Sequence, residues 1–163
     1  MPADRHSRSL PPPTGTKGFT IIELLTVLTI MLIVLSIASL AAIDWARTTG
    51  MRASVTAVEA GLIRARQHAV TQRQRTWFYT ADPGRSPAWF GIETDEGLIG
   101  TTNTLRRGIA FHSESDTNAT FTVRGSVDEG HLDFILTEPH RGERAMTATV
   151  TVYGVTGHTE VTR

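Results

Sequence analysis

A single carboxylate stands in the most apolar part of this chain. Glu23 is the only charged residue between Lys17 and Asp44, within a run that opens Gly18-Phe19-Thr20-Ile21-Ile22-Glu23-Leu24-Leu25. A charge inside a bilayer span costs at least roughly 2.5 to 3.5 kcal/mol even on lenient insertion scales, so an acid placed there calls for a partner. Other residues offer other chemistries. Histidines at 68, 112, 131, 140 and 158, with scattered serines and acids, could in principle supply a base and its orienter. No Gly-x-Ser-x-Gly elbow, metal-spaced histidine pair or phosphate-binding glycine loop accompanies them, so an enzyme is not expected. Asp95-Glu96, Asp128-Glu129 with Asp133, and Glu114 with Asp116 offer hard oxygen ligands. None has the alternating spacing and glycine of a dedicated calcium loop, so they read as solvated loop carboxylates, with no metal and no cofactor implied.

Arg64, Arg66, Arg73 and Arg75 form the one basic group that could meet a polyanion. From residue 76 onward seven basic side chains face twelve acidic ones, a formal balance of −5 that repels phosphate, so nucleic acid is an unexpected partner. The four arginines read instead as the solvated end of a helix, favourably placed toward its negative pole.

The element that carries Glu23 is legible from length alone. Leu24 to Ile43 is twenty residues without charge, proline or glycine, which at about 1.5 Å per residue matches a hydrocarbon core of about 30 Å. Arg5, Arg8 and Lys17 precede it against Asp4 alone, which directs residues 1–18 to the cytoplasm and the chain after Asp44 to the outside. Trp45 fits the membrane interface. An ordinary secretory signal would use the small-x-small site Ser39-Leu40-Ala41, but the apolar run exceeds the roughly 7 to 15 residues of such a signal. A plain signal anchor, with Glu23 near the positive end of the helix dipole, stays open at this point.

The expected domains are a leader at 1–18, a transmembrane helix at 19–43, its amphipathic continuation at 44–75 and a β-rich domain at 76–163. Met51, Val55, Val58, Leu62, Ala65 and Ala69 recur at alternating spacings of four and three, which places them on one stripe facing a sheet. Gly50 and Gly61 interrupt that helix, each at about 1 kcal/mol relative to alanine, and are expected to permit a bend. Strand-like runs follow at Thr76–Tyr79, Trp89–Ile92, Ile109–His112, Thr120–Val123, Leu132–Leu136 and Met146–Tyr153. Asp82-Pro83-Gly84, Gly97, Gly125, Glu129-Gly130 and Arg141-Gly142 punctuate them. The expectation is an α+β fold: a long N-terminal helix packed on six or seven short antiparallel strands, in one or two layers. Trp77, Phe78, Tyr79, Trp89 and Phe90 are expected to pack, with alternation sending some of them inward.

Gly18-Phe19-Thr20-Ile21-Ile22-Glu23, with its short basic leader and apolar helix, resembles the prepilin signature of type IV pilins and type II secretion pseudopilins. The resemblance implies cleavage after Gly18 by a prepilin peptidase and N-methylation of Phe19. It further implies pairing of Glu23 with the Phe19 amino group of an adjacent subunit. It places the chain in the inner membrane, single-pass, with its C-terminal domain periplasmic and assembled into a pseudopilus or pilus. The implied partners are the peptidase, other pseudopilins or pilins, and an inner-membrane assembly platform.

The order of long helix and following sheet, with the closing Tyr153-Gly154-Val155-Thr156-Gly157-His158-Thr159, is similar to the GspH/FimT family. That similarity implies a minor pseudopilin of the H type in a type II secretion system, or a FimT-type minor pilin of a type IV pilus. The chain has no cysteine, whereas many major pilins close a C-terminal loop with a disulfide, so the minor subunits are the nearer resemblance. Some FimT-type pilins bind DNA through a motif resembling Gly-Arg-x-Arg. Here the matching place reads Gly157-His158-Thr159-Glu160, with both arginine positions changed. A signal-anchored extracytoplasmic binding domain is the alternative of another class.

Overall fold

The structure, a computed structural model, describes residues 18–139 and 145–162, apart from the side chains of Leu40 and Ala41. The leader before Gly18, His140 and the Arg141-Gly142 turn lie outside the described residues. The chain divides into two compact units, Met1–Ala42 and Ile43–Arg163. Secondary structure begins with α1 (Ile21–Gln72), 52 residues long.

In the first unit the helix exposes aliphatic side chains on every side, among them Leu24, Leu28, Met31, Leu32, Leu35 and Ile37. Its few hydroxyls bond back to the helix itself. Thr26, Thr29 and Ser36 donate to the carbonyls of Ile22, Leu25 and Leu32 at 2.7, 2.8 and 2.8 Å. Such back-bonding satisfies these hydroxyls within the helix, which suits them to lipid. By length and composition α1 is able to cross a membrane.

The second unit is built on the helix stripe. Met51, Val55, Val58, Leu62, Ala65 and Ala69 are all buried, in one cluster with the inward residues of two antiparallel sheets. Among the described residues nine strands follow: β1 (Thr76–Thr80), β2 (Trp89–Thr94), β3 (Gly97–Leu98), β4 (Asn103–Thr104), β5 (Ala110–Phe111), β6 (Asn118–Phe121), β7 (His131–Thr137), β8 (Thr147–Tyr153) and β9 (His158–Thr162). The first sheet runs β3-β2-β1-β6 with β4 also on β2; the second runs β5-β7-β8-β9. The fold is α+β, one long helix with antiparallel sheets, in two sheets rather than one.

Alternation explains what each strand buries. In β1, Thr76, Phe78 and Thr80 point inward while Trp77 and Tyr79 stay half-buried. Phe78 stacks on Phe90 of β2 at 5.1 Å between centroids and meets Phe134 of β7 edge-on at 5.2 Å, joining the sheets by ring contact. Tyr79 lies over Gly91, its partner across the ladder, and meets Trp89 edge-on at 5.7 Å.

The structure changes several expectations. The helix ends at Gln72 because Arg73 turns into the left-handed region at φ 53°, so its last turn holds no basic residue. Gly50 and Gly61 lie inside an unbroken helix, and what they provide is space. A methyl group at Gly61 would stand 2.5 Å from Phe90 and 2.9 Å from Phe78. The expected strand Thr120–Val123 lies two residues earlier as β6, because Thr122 to Gly125 forms a turn closed by Gly125 N–H donating to Thr122 O at 2.8 Å.

Ile109–His112 keeps only two strand residues. Its ladder is continued by side chains: Asp133 N–H donates to Asp116 Oδ2 at 2.6 Å, and Ile135 N–H to Ser115 Oγ at 3.1 Å. The polar edge of β7 is therefore satisfied without further strand backbone. Three strands had no sequence expectation of their own, namely β3, β4 and β9, although β9 falls in the closing hairpin implied by the resemblance.

Candidate functional site

At the start of α1, Gly18, Phe19 and Thr20 are non-helical, and the helix begins at Ile21. Thr20 is the N-cap. Its carbonyl accepts from Leu24 N–H at 3.2 Å, opening the helical ladder, and its Oγ1 accepts from Glu23 N–H at 3.2 Å. Glu23 reaches back: its Oε2 accepts from both the backbone N–H and the hydroxyl of Thr20, each at 3.0 Å. This is a reciprocal capping box, which satisfies helix N–H groups that otherwise have no intrahelical partner.

Within its own chain Glu23 thus has a neutral ligand, and both contacts fall on one carboxylate oxygen. Oε1 takes no hydrogen bond among the described residues. The carboxylate can therefore hold the cap and still accept from a second group. Among the described residues nothing lies within 4 Å of where a Gly18 side chain would start, and Phe19 is 75% exposed. The Gly18–Phe19 peptide is an open, unwound bond just ahead of a capped helix. The Thr20-x-x-Glu23 spacing before an apolar run is the sequence signal for this box.

The remaining candidate residues are dispersed into structural roles. Arg66 Nε donates to Gly125 O at 3.2 Å, and Arg75 pairs with Asp128 at 3.3 Å, so two of the four clustered arginines hold loops. Asp116 and Asp133 serve the β7 edge, with Asp133 Oδ1 also accepting from Thr151 Oγ1 at 2.6 Å. Asp95 and Glu96 form the exposed turn between β2 and β3. Among the described residues no three His, Asp or Glu side chains gather as metal ligands. His68 Nδ1 lies 3.4 Å from the buried Thr76 hydroxyl, and His112 lies 3.9 Å from Glu114.

In the closing hairpin, β8 and β9 pair Tyr153 with His158 around a turn whose Gly157 takes φ 60°. Tyr153 stacks on His158 at 6.4 Å and donates to Glu160 Oε2 at 2.7 Å. That hydrogen bond, with the Glu160 charge beside it, holds the Tyr153 phenol above its ordinary range. The residues at the place of the Gly-Arg-x-Arg pattern therefore present a carboxylate and a ring.

Sequence reasoning also missed a contact made across the fold. Arg47 donates to Glu138 through Nη2 at 2.5 Å and Nε at 3.3 Å, and to Asp44 at 3.4 Å. The Glu138 contacts, with the charges around it, raise the Arg47 guanidinium further above its ordinary range. The two residues lie 91 positions apart, and no local pattern links them.

Residues 14–39 match the family described as the prokaryotic N-terminal methylation motif. No curated protein matches the chain. Among solved structures, the fold is similar to the type IV minor pilin FimU of Pseudomonas aeruginosa strain PAO1, with a TM-score of 0.55 at 14% identity. The match covers 73% of this chain and 92% of that one. The chain is thus type IV pilin-like in fold and carries an N-terminal methylation motif.

Proposed function

We propose that the chain is a minor, non-enzymatic subunit of a pilin-type filament, cut between Gly18 and Phe19 by a prepilin peptidase and methylated at the new Phe19 amino group. The single observation that carries this reading is the opening of α1. An unwound Gly18–Phe19 bond precedes a helix whose Glu23 holds its cap through one oxygen and keeps the other for a second partner. In the filament that partner is the Phe19 amine of an adjacent subunit, and low dielectric between packed helices makes the pairing strong. The methylation-motif match covers these same residues.

Before assembly the chain resides in the bacterial inner membrane as a single-pass protein, with the domain after Asp44 in the periplasm. An assembly platform there, together with other pilins or pseudopilins, lifts the apolar helix out of lipid and into the helical core of the filament. The likeness to FimU favours a minor pilin of a type IV pilus. An H-type pseudopilin of a type II secretion system is the second reading, favoured by the GspH/FimT order of elements and the lack of cysteine. DNA is not a proposed ligand, because the closing hairpin carries Glu160.

Intact-mass and N-terminal peptide analysis of the protein from its native membrane tests the processing. A chain beginning at N-methylated Phe19 supports the filament role. A start at Ala42 means ordinary secretion, and an uncut start at Met1 or Pro2 means a simple anchor; either sinks the proposal. Crosslinked partners identified in the same membranes separate a pilus from a secretion machine.

A further inference from the structure

The residues that follow the apolar run open directly onto a basic cavity. It measures about 280 Å³ and is walled by Ile43, Ala46 and Arg47 of α1, by Arg106 and Arg107, and by Glu138. Arg47 is already engaged by Glu138 and Asp44. Arg106 and Arg107 are exposed and form no ion pair among the described residues.

The loop that carries these two arginines is held firmly. Leu105 N–H donates to Ala88 O at 2.7 Å, Ile109 N–H to Arg106 O at 3.2 Å, and Gly108 N–H to Ser86 Oγ at 3.1 Å. The stem of Arg106 lies across Gly50, where a methyl group would stand 2.7 Å from its Cδ. Glycine at that helix position is what lets the guanidinium lie over the cavity.

Position along the chain sets which anion this cavity meets. Ile43 ends the apolar run, and Gly50 stands about 10 Å further along the helix at about 1.5 Å per residue. The headgroup layer of a leaflet is roughly 5 to 8 Å deep. Ile43 and Ala46 follow directly on the apolar run, with exposed Trp45, a residue type suited to the membrane interface, between them in sequence.

We propose that this cavity receives the phosphate of an anionic phospholipid, with Arg106 and Arg107 as its cationic ligands and Ile43 and Ala46 against the apolar side of the lipid. The proposal rests on the reading of the apolar run as a membrane anchor. The rest of the sheet domain is acidic in balance, so these arginines confine attraction for lipid to the margin where the chain leaves the bilayer. A bound lipid of this kind would hold the domain at the surface until the subunit is extracted.

The test is native mass spectrometry of the full chain released from nanodiscs of equal phosphatidylglycerol and phosphatidylcholine with matched acyl chains. Two arginines at roughly fivefold each predict retention of phosphatidylglycerol over phosphatidylcholine by up to about 25-fold. Arg106→Gln with Arg107→Gln is expected to bring that ratio close to one, and Arg124→Gln, on the loop after β6, to leave it unchanged. Circular dichroism of each variant checks the fold. Equal retention of both lipids, or a preference that survives the double variant, overturns the proposal. Displacement of phosphatidylglycerol by inorganic phosphate at matched phosphorus overturns the commitment to lipid. A chain that does not enter the discs overturns the anchor reading, and the lipid site with it.

Discussion

Thr20 and Glu23 bind one another in both directions, the threonine accepting at 3.2 Å from the backbone N–H of Glu23 and donating twice at 3.0 Å to its carboxylate. The two residues can be separated by experiment, because Thr20 serves only the cap whereas Glu23 serves the cap and, under the proposed function, a neighbour's amine as well. In Thr20→Val the amides of the first helical turn are expected to exchange several-fold faster in detergent micelles, with filament incorporation largely retained. In Glu23→Ala the same amides loosen, peptidase cleavage continues, and incorporation falls. A Glu23→Ala subunit that assembles at the normal level refutes the pairing.

Gly61 faces Phe78 and Phe90 at a separation that admits no side chain. Gly61→Val must displace two packed phenyl rings, and overpacking of this kind costs about 1 to 3 kcal/mol. Chemical denaturation of the full chain in detergent should show the midpoint falling for Gly61→Val. Gly130→Ala, at a site where a methyl group meets nothing within 4 Å, should leave it unchanged.

Ser54 is 3% exposed, and its Oγ is the buried side-chain oxygen without a hydrogen-bond partner among the described residues. Removing it relieves the desolvation of an unsatisfied hydroxyl and improves helix propensity. Ser54→Ala is expected to stabilise the second unit by about 1 kcal/mol, measured as an increase in the denaturation midpoint. A loss of stability would mean that the hydroxyl has a partner in solution.

The Arg47–Glu138 pair ties the start of the second unit's helix to the residue after β7. Glu138→Gln and Arg47→Gln should each lower the thermal midpoint, and the double variant should lose less than the two losses combined, because both changes remove the same contact. Additive losses would show that the pair has no coupling of its own.

Tyr153 is held above its ordinary range by Glu160, so the native state keeps the phenol proton to higher pH than the unfolded chain does. The stability that this contributes is complete below about pH 10, the ordinary tyrosine value, and is lost as pH rises through the folded-state value. An NMR titration of the Tyr153 ring carbon in the full chain should show its midpoint above 10. Glu160→Gln should lower that midpoint; an unchanged midpoint would remove Glu160 as the cause.

Much of this architecture is legible in the residues themselves. The Met51 to Ala69 stripe follows from its three-and-four spacing, β1, β7 and β8 from alternation, because each has one face in the core, and β2 from its aromatic and aliphatic run. What stays hidden has no period to read. β3 and β4 pair only two residues each, and β9 alternates between exposed and half-buried positions because it closes a sheet edge. The placing of Ser115 and Asp116 along β7 depends on side chains standing in for strand backbone. At the helix start the capping box is written in Thr20-x-x-Glu23.

The helix stripe has a mechanical consequence. From Met51 to Ala69 the contacts run parallel to the helix axis over about 27 Å at 1.5 Å per residue. A pull along that axis loads the whole row in shear, so its side chains resist together instead of parting one after another from an end. A domain dragged by its own helix would hold to it until most of the row slipped at once, with the Phe78 and Phe90 rings seated at Gly61 as the catch that has to be forced.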